Sequence, residues 1–228
     1  MTVRFEVRNR PSMPIYKRNQ VEEAIARTFL SVSDPPLDLL TKLKRLLDAD
    51  RKLGRNKRSS DPLHSTFAFF SEASPGSGFE VQFSAYEAFA LMTALRFLEH
   101  GWPQRSAVQI LRQARKELQR EHAHILKLDP STLFDEAVIR ETARPGAIYT
   151  GSTDESFLVV VSREGIDRED PSWSRSARIC RGERELMPAI RGGGAGQAAT
   201  FMGLTSSAFA LQAALDETVP SKRGRGAM

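Results

Sequence analysis

The sequence predicts a mainly α-helical fold with small β elements, of the α+β class. Long segments repeat apolar residues at helical spacing, whereas short segments alternate apolar with polar residues as strands do. The chain has 228 residues, 40% of them hydrophobic and 27% charged, which is ordinary for a globular protein with a core. Its single cysteine, Cys180, excludes a disulfide within the chain.

Positive charge is concentrated at one end of the chain. The first 60 residues hold 14 Lys and Arg against 7 Asp and Glu, while the whole chain is only +5, so the remaining 168 residues sum to about −2. A basic end of this kind is typical of nucleic-acid binding, because each Lys or Arg near a phosphate releases condensed counterions.

Two helices are predicted within this basic end. The first spans residues 18–30, and the second runs to about residue 53 after a turn at 31–36 in which Ser33 or Asp34 caps it. Each helix has one apolar face, formed by Val21, Ala24, Ile25, Thr28 and Phe29 in the first and by Leu40, Leu43 and Leu47 in the second.

A polar basic linker is predicted over residues 54–65. Two short strands follow, at 66–70 and 79–83, and the glycines and proline of 71–78 join them as a loose hairpin.

Ser84 then caps a predicted helix over 85–100, which is apolar nearly all round and therefore belongs to the core. Gly101 ends it, and a long helix is predicted from residue 104 to 128. Leu111, Leu118 and Ile125 form an imperfect heptad seam along that helix. The seam is interpreted equally well as a dimer contact or as packing within its own domain.

A domain boundary is predicted after residue 128, which gives a first domain at 1–128, an α+β dimerisation or regulatory region at 129–220 and a disordered basic tail at 221–228. The predicted elements of the second region are helices at 131–142, 183–190 and 198–217 and strands at 147–149, 157–161 and 177–181. Leu204 and Leu211 of its last helix are also assigned to dimerisation.

The two basic helices are spaced like a helix-turn-helix, which needs a buried face on the first helix and an outward face on the second. The alternative is a plain helical hairpin with a solvated charged face. Under the first interpretation the candidate DNA contacts are Lys17, Arg18, Gln20, Lys42, Lys44, Arg45, Arg51 and Lys52.

Residues 15–120 resemble the winged helix-turn-helix domain of MerR-type transcriptional regulators. The resemblance is carried by Ile15-Tyr16, Val21, Ala24, Val32-Ser33, Gly78-Phe79, Phe83-Ser84, Leu95-Arg96-Phe97 and His100-Gly101-Trp102. It implies a homodimer on an inverted repeat, with each second helix in a major groove and each wing on the flanking backbone. The metal-sensing cysteines of that family are missing, which disfavours a mercury or copper sensor.

Other motifs are weaker. Lys222-Arg223-Gly224-Arg225-Gly226 resembles a minor-groove segment, but a solubilising tail is the favoured interpretation. The glycine run 192–196 lacks the Lys-Ser/Thr of a phosphate loop, and His122 and His124 lie on different helix faces. We therefore expect no enzyme, no metal and no other cofactor.

The sequence thus predicts a sequence-specific DNA-binding transcriptional regulator that acts as a homodimer. The rivals are a non-enzymatic adaptor, for RNA polymerase or another protein, and a mobile-element accessory factor that binds DNA weakly or without specificity. The sequence has no signal peptide and no apolar run long enough to cross a bilayer, so a cytoplasmic location without membrane contact is expected. The sequence assigns no small-molecule effector.

Overall fold

The computed structural model describes residues 14–71, 81–142, 151–163, 175–191 and 197–220. Within them the protein is mainly helical with two small antiparallel sheets, as the α+β prediction required. Several predicted features lie outside the described residues: the strand at 147–149, most of the 71–78 loop, the glycine run 192–196 and the tail at 221–228.

The first three elements are β1 (Ile15–Lys17), α1 (Arg18–Leu30) and α2 (Leu37–Leu53), so both predicted helices are confirmed. Ser31 ends α1 in the left-handed conformation, with φ 56°, and its N–H donates to the Arg27 carbonyl. Pro36 occupies the N-cap of α2 and offers no side-chain cap, so the prediction that Ser33 or Asp34 caps this helix was wrong.

The segment after α2, predicted as a polar basic linker, contains a short helix that was not predicted. This helix is α3 (Pro62–Ser65), and Asp61 is its N-cap, because the Asp61 carboxylate accepts the Leu63 N–H. The predicted strand at 66–70 is wrong. The N–H groups of Ala68 and Phe69 donate to Asp50 Oδ2 at 2.9 and 3.0 Å instead of to a neighbouring strand.

Among the described residues, 82 and 83 do not pair with 66–70 as the predicted wing required. The strand β2 (Gln82–Ser84) pairs antiparallel with β1, which lies far upstream at the start of the described chain. Then come the two central helices, α4 (Ala85–Glu99) and α5 (Gln104–Ile125), as predicted. Ser84 and Glu87 form the capping box of α4, since each accepts the other's backbone N–H.

The C-terminal part contains α6 (Pro130–Leu133), α7 (Glu136–Thr142), β3 (Ser156–Arg163), β4 (Arg175–Arg181), α8 (Gly182–Arg191), β5 (Gln197–Gly203) and α9 (Thr205–Glu217). The predicted helix over 131–142 is two shorter helices. The strands form one antiparallel sheet in the order β4-β3-β5.

The predicted helix at 198–217 was wrong in its first third. Residues 197–203 pair with β3 along their whole length, and only then does α9 begin. Backbone pairing with β3 outweighs the helix propensity of the two alanines and the apolar spacing that continues through Phe201.

One apolar core joins the elements on both sides of residue 128. It includes Leu43 of α2, Phe89 of α4, Leu158 of β3 and Leu211 of α9. The helix α9 packs on α1, and the residue that follows it, Thr218, accepts a hydrogen bond from Gln20 of α1.

Candidate nucleic-acid interface

The strands β1 and β2 form a two-stranded ribbon at the surface. The register pairs Ile15 with Ser84, Tyr16 with Phe83 and Lys17 with Gln82. Because successive side chains of a strand point to opposite faces, the central pair faces one way and the outer pairs face the other. Tyr16 and Phe83 are 6% and 1% exposed, whereas Ile15 is 63% exposed. The ribbon therefore turns Ile15, Lys17, Gln82 and Ser84 away from the core.

A helix begins directly after each strand of the ribbon. The Lys17 N–H donates to Gln20 Oε1 at 3.0 Å, and the Ser84 N–H donates to Glu87 Oε2 at 2.8 Å. These bonds fix the angle between each strand and its helix. They also place the positive ends of two helix dipoles beside the ribbon, where an anion is stabilised.

Five cations lie in the last turn of α2 and in the residues directly after it, together named the basic end of α2: Arg51, Lys52, Arg55, Lys57 and Arg58. The guanidinium of Arg51 lies 5.3 Å from the centroid of the Phe70 ring. That centroid lies in turn 6.3 Å from the centroid of Phe83 in β2. One aromatic ring therefore separates Arg51 from Phe83, which lies on the buried face of the ribbon.

The three predicted contacts around β1 and α1 have different positions. Lys17 lies on the outer face of the ribbon. Arg18 is half-buried, and its Nε donates to Glu22 Oε1 at 2.6 Å. Gln20 is buried and donates to the Thr218 carbonyl at 3.1 Å, so its prediction as a DNA contact was wrong. The amide is used to cap α1 and to hold the chain after α9.

The predicted contacts on α2 divide into two groups. Lys42 pairs with Asp38 at 2.8 Å, and this hydrogen bond raises the pKa of the lysine; Arg51 pairs with Asp48 at 3.2 Å. Lys44, Arg45 and Lys52 are exposed, and no described carboxylate forms a salt bridge with any of them. The buried face of the helix is made by Leu39, Leu43, Leu46 and Leu47.

The residues predicted to form a dimer contact lie inside the chain's own core. Leu111, Leu118 and Ile125 are each 0% exposed, and Leu204 and Leu211 are 2% and 1% exposed. Their assignment to a dimer surface is corrected accordingly. The apolar seam of α5 is covered by other elements of the same chain, among them α2, α4 and α9.

The sequence did not predict Ile15 or Gln82 of the ribbon as contacts. Gln82 was missed because residues 79–83 were assigned to a hairpin with 66–70. A signal for the ribbon was present in the sequence. Tyr16 stands directly before the N-cap of α1, and Phe83 stands directly before the N-cap of α4. An aromatic residue in the same position before two helices indicates two equivalent strands.

The structure also shows the surroundings of the cysteine thiol and of the side chains that could bind a metal ion. Cys180 is buried, and burial raises the pKa of its thiol, which disfavours the reactive thiolate. Among the described residues, no three His, Cys, Asp or Glu side chains are grouped so that they would hold a metal ion. In the same part of the chain, every helix is too short or too polar to cross a bilayer.

Comparison with protein-family models, with curated proteins and with solved structures finds no match for this chain. The class is therefore defined by the fold alone. Within the described residues it is a mainly helical α+β protein with a two-stranded antiparallel ribbon and a separate three-stranded antiparallel sheet.

Proposed function

We propose that the protein is a sequence-specific, double-stranded DNA-binding transcriptional regulator whose ribbon enters the major groove. The observation that carries the proposal is the outward face of the ribbon, where Lys17 stands directly opposite Gln82. The ribbon replaces α2 as the reading element, and the basic end of α2 serves as a phosphate contact.

The dimensions and the chemistry of the ribbon fit this groove. A major groove about 12 Å wide and about 8.5 Å deep admits a two-stranded ribbon. Lysine donates to O6 and N7 of guanine, and glutamine forms a bidentate pair with N6 and N7 of adenine. Ile15, exposed on the same face, offers apolar contact to a thymine methyl group.

Positive charge at the basic end of α2 supplies affinity that is independent of sequence. Lys52, Lys57 and Arg58 are exposed within the basic end of α2. Each cation that meets a phosphate releases counterions, so binding weakens as salt rises. Phosphate contacts of this kind fix the register of the protein on the duplex, and base contacts then select the sequence.

Selection from random duplexes, followed by fluorescence anisotropy on the selected sequence, tests the proposal. The double variant Lys17→Ala/Gln82→Ala removes both predicted base contacts. It should lose about 1–3 kcal/mol of discrimination for each contact while keeping its affinity for random duplex. The control is Arg184→Ala, which removes an exposed cation of α8, outside the ribbon and α2.

The basic end of α2 is tested separately through the salt dependence of binding. Lys52→Ala and Arg58→Ala should weaken binding to all sequences uniformly and lower the salt slope by about 1 each. Lys127→Ala, an exposed lysine that follows α5, is the matched control. An unchanged slope in both test variants would remove this segment from the interface.

A specific observation favours a second candidate, the non-enzymatic adaptor. Leu30, Val32 and Leu37 flank the turn between α1 and α2 and are 47%, 40% and 79% exposed. Neighbouring apolar side chains at a surface are typical of protein contacts. If the wild-type protein binds no duplex at roughly 50 mM salt, where electrostatic binding is strong, the adaptor replaces the regulator.

A further inference from the structure

The N-terminal part of the chain contains the same β-α-α unit twice. Every element of the first unit precedes its counterpart by the same interval along the chain: Ile15 and Gln82 begin the strands, Arg18 and Ala85 the first helices, Leu37 and Gln104 the second helices. Residues with matching roles keep this interval as well. Pro36 and Pro103 are the N-caps of α2 and α5, and Gln20 and Glu87 accept the N-cap N–H groups of α1 and α4.

The register of the ribbon relates its two strands by a local twofold axis. Tyr16 pairs with Phe83, its own counterpart. Ile15 pairs with Ser84, the counterpart of Lys17, and Lys17 pairs with Gln82, the counterpart of Ile15. Each strand therefore meets the other as identical subunits meet across a twofold interface, where residue i contacts j and j contacts i.

The second helices of the two units also pack on each other. Gln104 of α5 donates to the Arg45 carbonyl of α2 at 2.6 Å, and Arg112 pairs with Asp50 in the core. The buried positions correspond too. Leu43 and Leu47 of α2 are matched by Ile110 and Ala114 of α5, each no more than 2% exposed.

The outer faces of the two strands are nevertheless chemically different. Ile15 corresponds to Gln82, and Lys17 corresponds to Ser84. A symmetric pair of strands would meet the same bases in both halves of a site. Here one strand offers an apolar group and a cation, whereas the other offers the Gln82 amide, because the Ser84 hydroxyl is engaged in the capping box of α4. The two halves of the ribbon therefore prefer different bases.

We infer that one chain supplies both halves of the DNA-reading unit, so that a single copy binds a non-palindromic sequence. The inference rests on the proposed function and replaces the expected homodimer on an inverted repeat. The strand pairing and the helix packing that subunits would otherwise contribute across a dimer interface are already made within the chain.

The test measures the stoichiometry and the symmetry of binding. The full chain is used for selection from random duplexes. Native mass spectrometry and analytical sedimentation then measure the mass of its complex with the selected duplex. We expect one chain for each duplex, a binding curve with a Hill slope of 1 and a motif without twofold symmetry. Two chains on a palindromic motif would overturn the inference and leave the proposed function standing. No selected duplex at all would overturn the proposed function and the inference with it.

A designed variant tests the same inference through the symmetry of the bound motif, without a measurement of stoichiometry. Ile15→Gln/Lys17→Ser gives the first strand the outer residues of the second. If the strands read corresponding halves, this variant should prefer a palindromic core over the wild-type motif by about tenfold, the ratio that one base contact provides. The thermal unfolding midpoint confirms that the variant is folded, and Arg184→Ala should keep the wild-type motif. A folded variant that also keeps this motif would contradict the inference.

Discussion

Arg112 and Asp50 form an ion pair inside the core, with Nε 2.7 Å from Oδ1 and side chains only 1% and 0% exposed. The guanidinium also donates to the carbonyls of Gly54 and Leu63, at 2.8 and 3.0 Å. The carboxylate meanwhile accepts the N–H groups of Ala68 and Phe69. Two side chains thus hold the segment from α2 to Phe69 against α5, and this segment includes much of the basic end of α2.

Asp50→Ala should lower the free energy of unfolding by about 3–5 kcal/mol, because it leaves the Arg112 charge buried and unpaired. Urea unfolding measures the loss. The double variant Asp50→Ala/Arg112→Ala should lose less than the sum of the single losses, by about 0.5–3 kcal/mol. Glu136→Ala breaks an ion pair whose side chains are 79% and 78% exposed, and it should cost less than about 1 kcal/mol. If Asp50→Ala also lowers the free energy of unfolding by less than about 1 kcal/mol, the ion pair with Arg112 does not stabilise the core.

Folding stability should fall in weak acid because of His122. This side chain is buried, with its ring centroid 4.7 Å from that of Phe89, and burial lowers its pKa to about 4. An unfolded histidine titrates near 6.5, so below that pH the unfolded chain binds the extra proton. The neutral form therefore contributes stability above about pH 6.5, and about 3 kcal/mol of it is lost as the pH falls to about 4.

The variant His122→Phe identifies the source of this pH dependence. It keeps an aromatic ring between α4 and α5 and removes the titrating group. Free energies of unfolding at about pH 7 and about pH 4.5 should differ less in this variant than in the wild type. His64→Gln, which changes an exposed histidine, should keep the wild-type difference. If the free energy of unfolding falls equally in acid for the wild type and for His122→Phe, groups other than His122 cause the pH dependence.

The sequence predicted those elements that have local signals. Ser84 and Glu87 form the capping box of α4, and Gly101 follows that helix with φ 79°, a conformation that glycine adopts without strain. Residues 66–70 and 197–203 were assigned wrongly because distant partners determine their structure. Asp50 binds the first segment, and β3, which lies well upstream in the chain, pairs with the second.

The candidate site was predictable only in part for the same reason. The charge count identified the basic end of the chain, and the helix pattern placed α2 within it. The ribbon depends on contact between Tyr16 and Phe83, and no periodicity of either segment reports such a contact. The ion pairs of Lys42 and Arg51 with acids on their own helix were readable from spacing, since Asp38 and Asp48 stand four and three residues before them.

Arg181→Ala should loosen the contact between α5 and the C-terminal sheet. Arg181 Nη2 donates to Glu121 Oε2 at 2.6 Å, and Ser156 Oγ donates to Glu121 Oε1 at 2.7 Å. The Glu121 side chain is only 4% exposed, and the two hydrogen bonds hold its pKa low despite burial. Arg181→Ala should lower the free energy of unfolding, measured in urea, by about 1.5–3 kcal/mol, which is the usual range for a hydrogen bond to a charged group.

Hydrogen exchange locates this effect. The amides of β3 and β4 should lose protection in Arg181→Ala, whereas the amides of α1 should change less. Arg181→Lys keeps the positive charge near Glu121 and should retain part of the lost stability. Equal protection of both strands in the wild type and Arg181→Ala would show that the pair contributes nothing to docking the sheet.

The variant Lys44→Ala/Arg45→Ala distinguishes the ribbon from α2 as the element that reads DNA. Both side chains are exposed, and the Arg45 carbonyl that binds Gln104 is unaffected, so folding should be preserved. If the ribbon reads the bases, this variant weakens binding to all duplexes about equally and keeps the selected motif. If α2 lies in the groove as a recognition helix, the same variant lowers the preference for the selected motif over random duplex. Lys17→Ala/Gln82→Ala should then leave that preference unchanged. Competition between the selected duplex and a random duplex, measured for both variants, gives opposite results in the two cases.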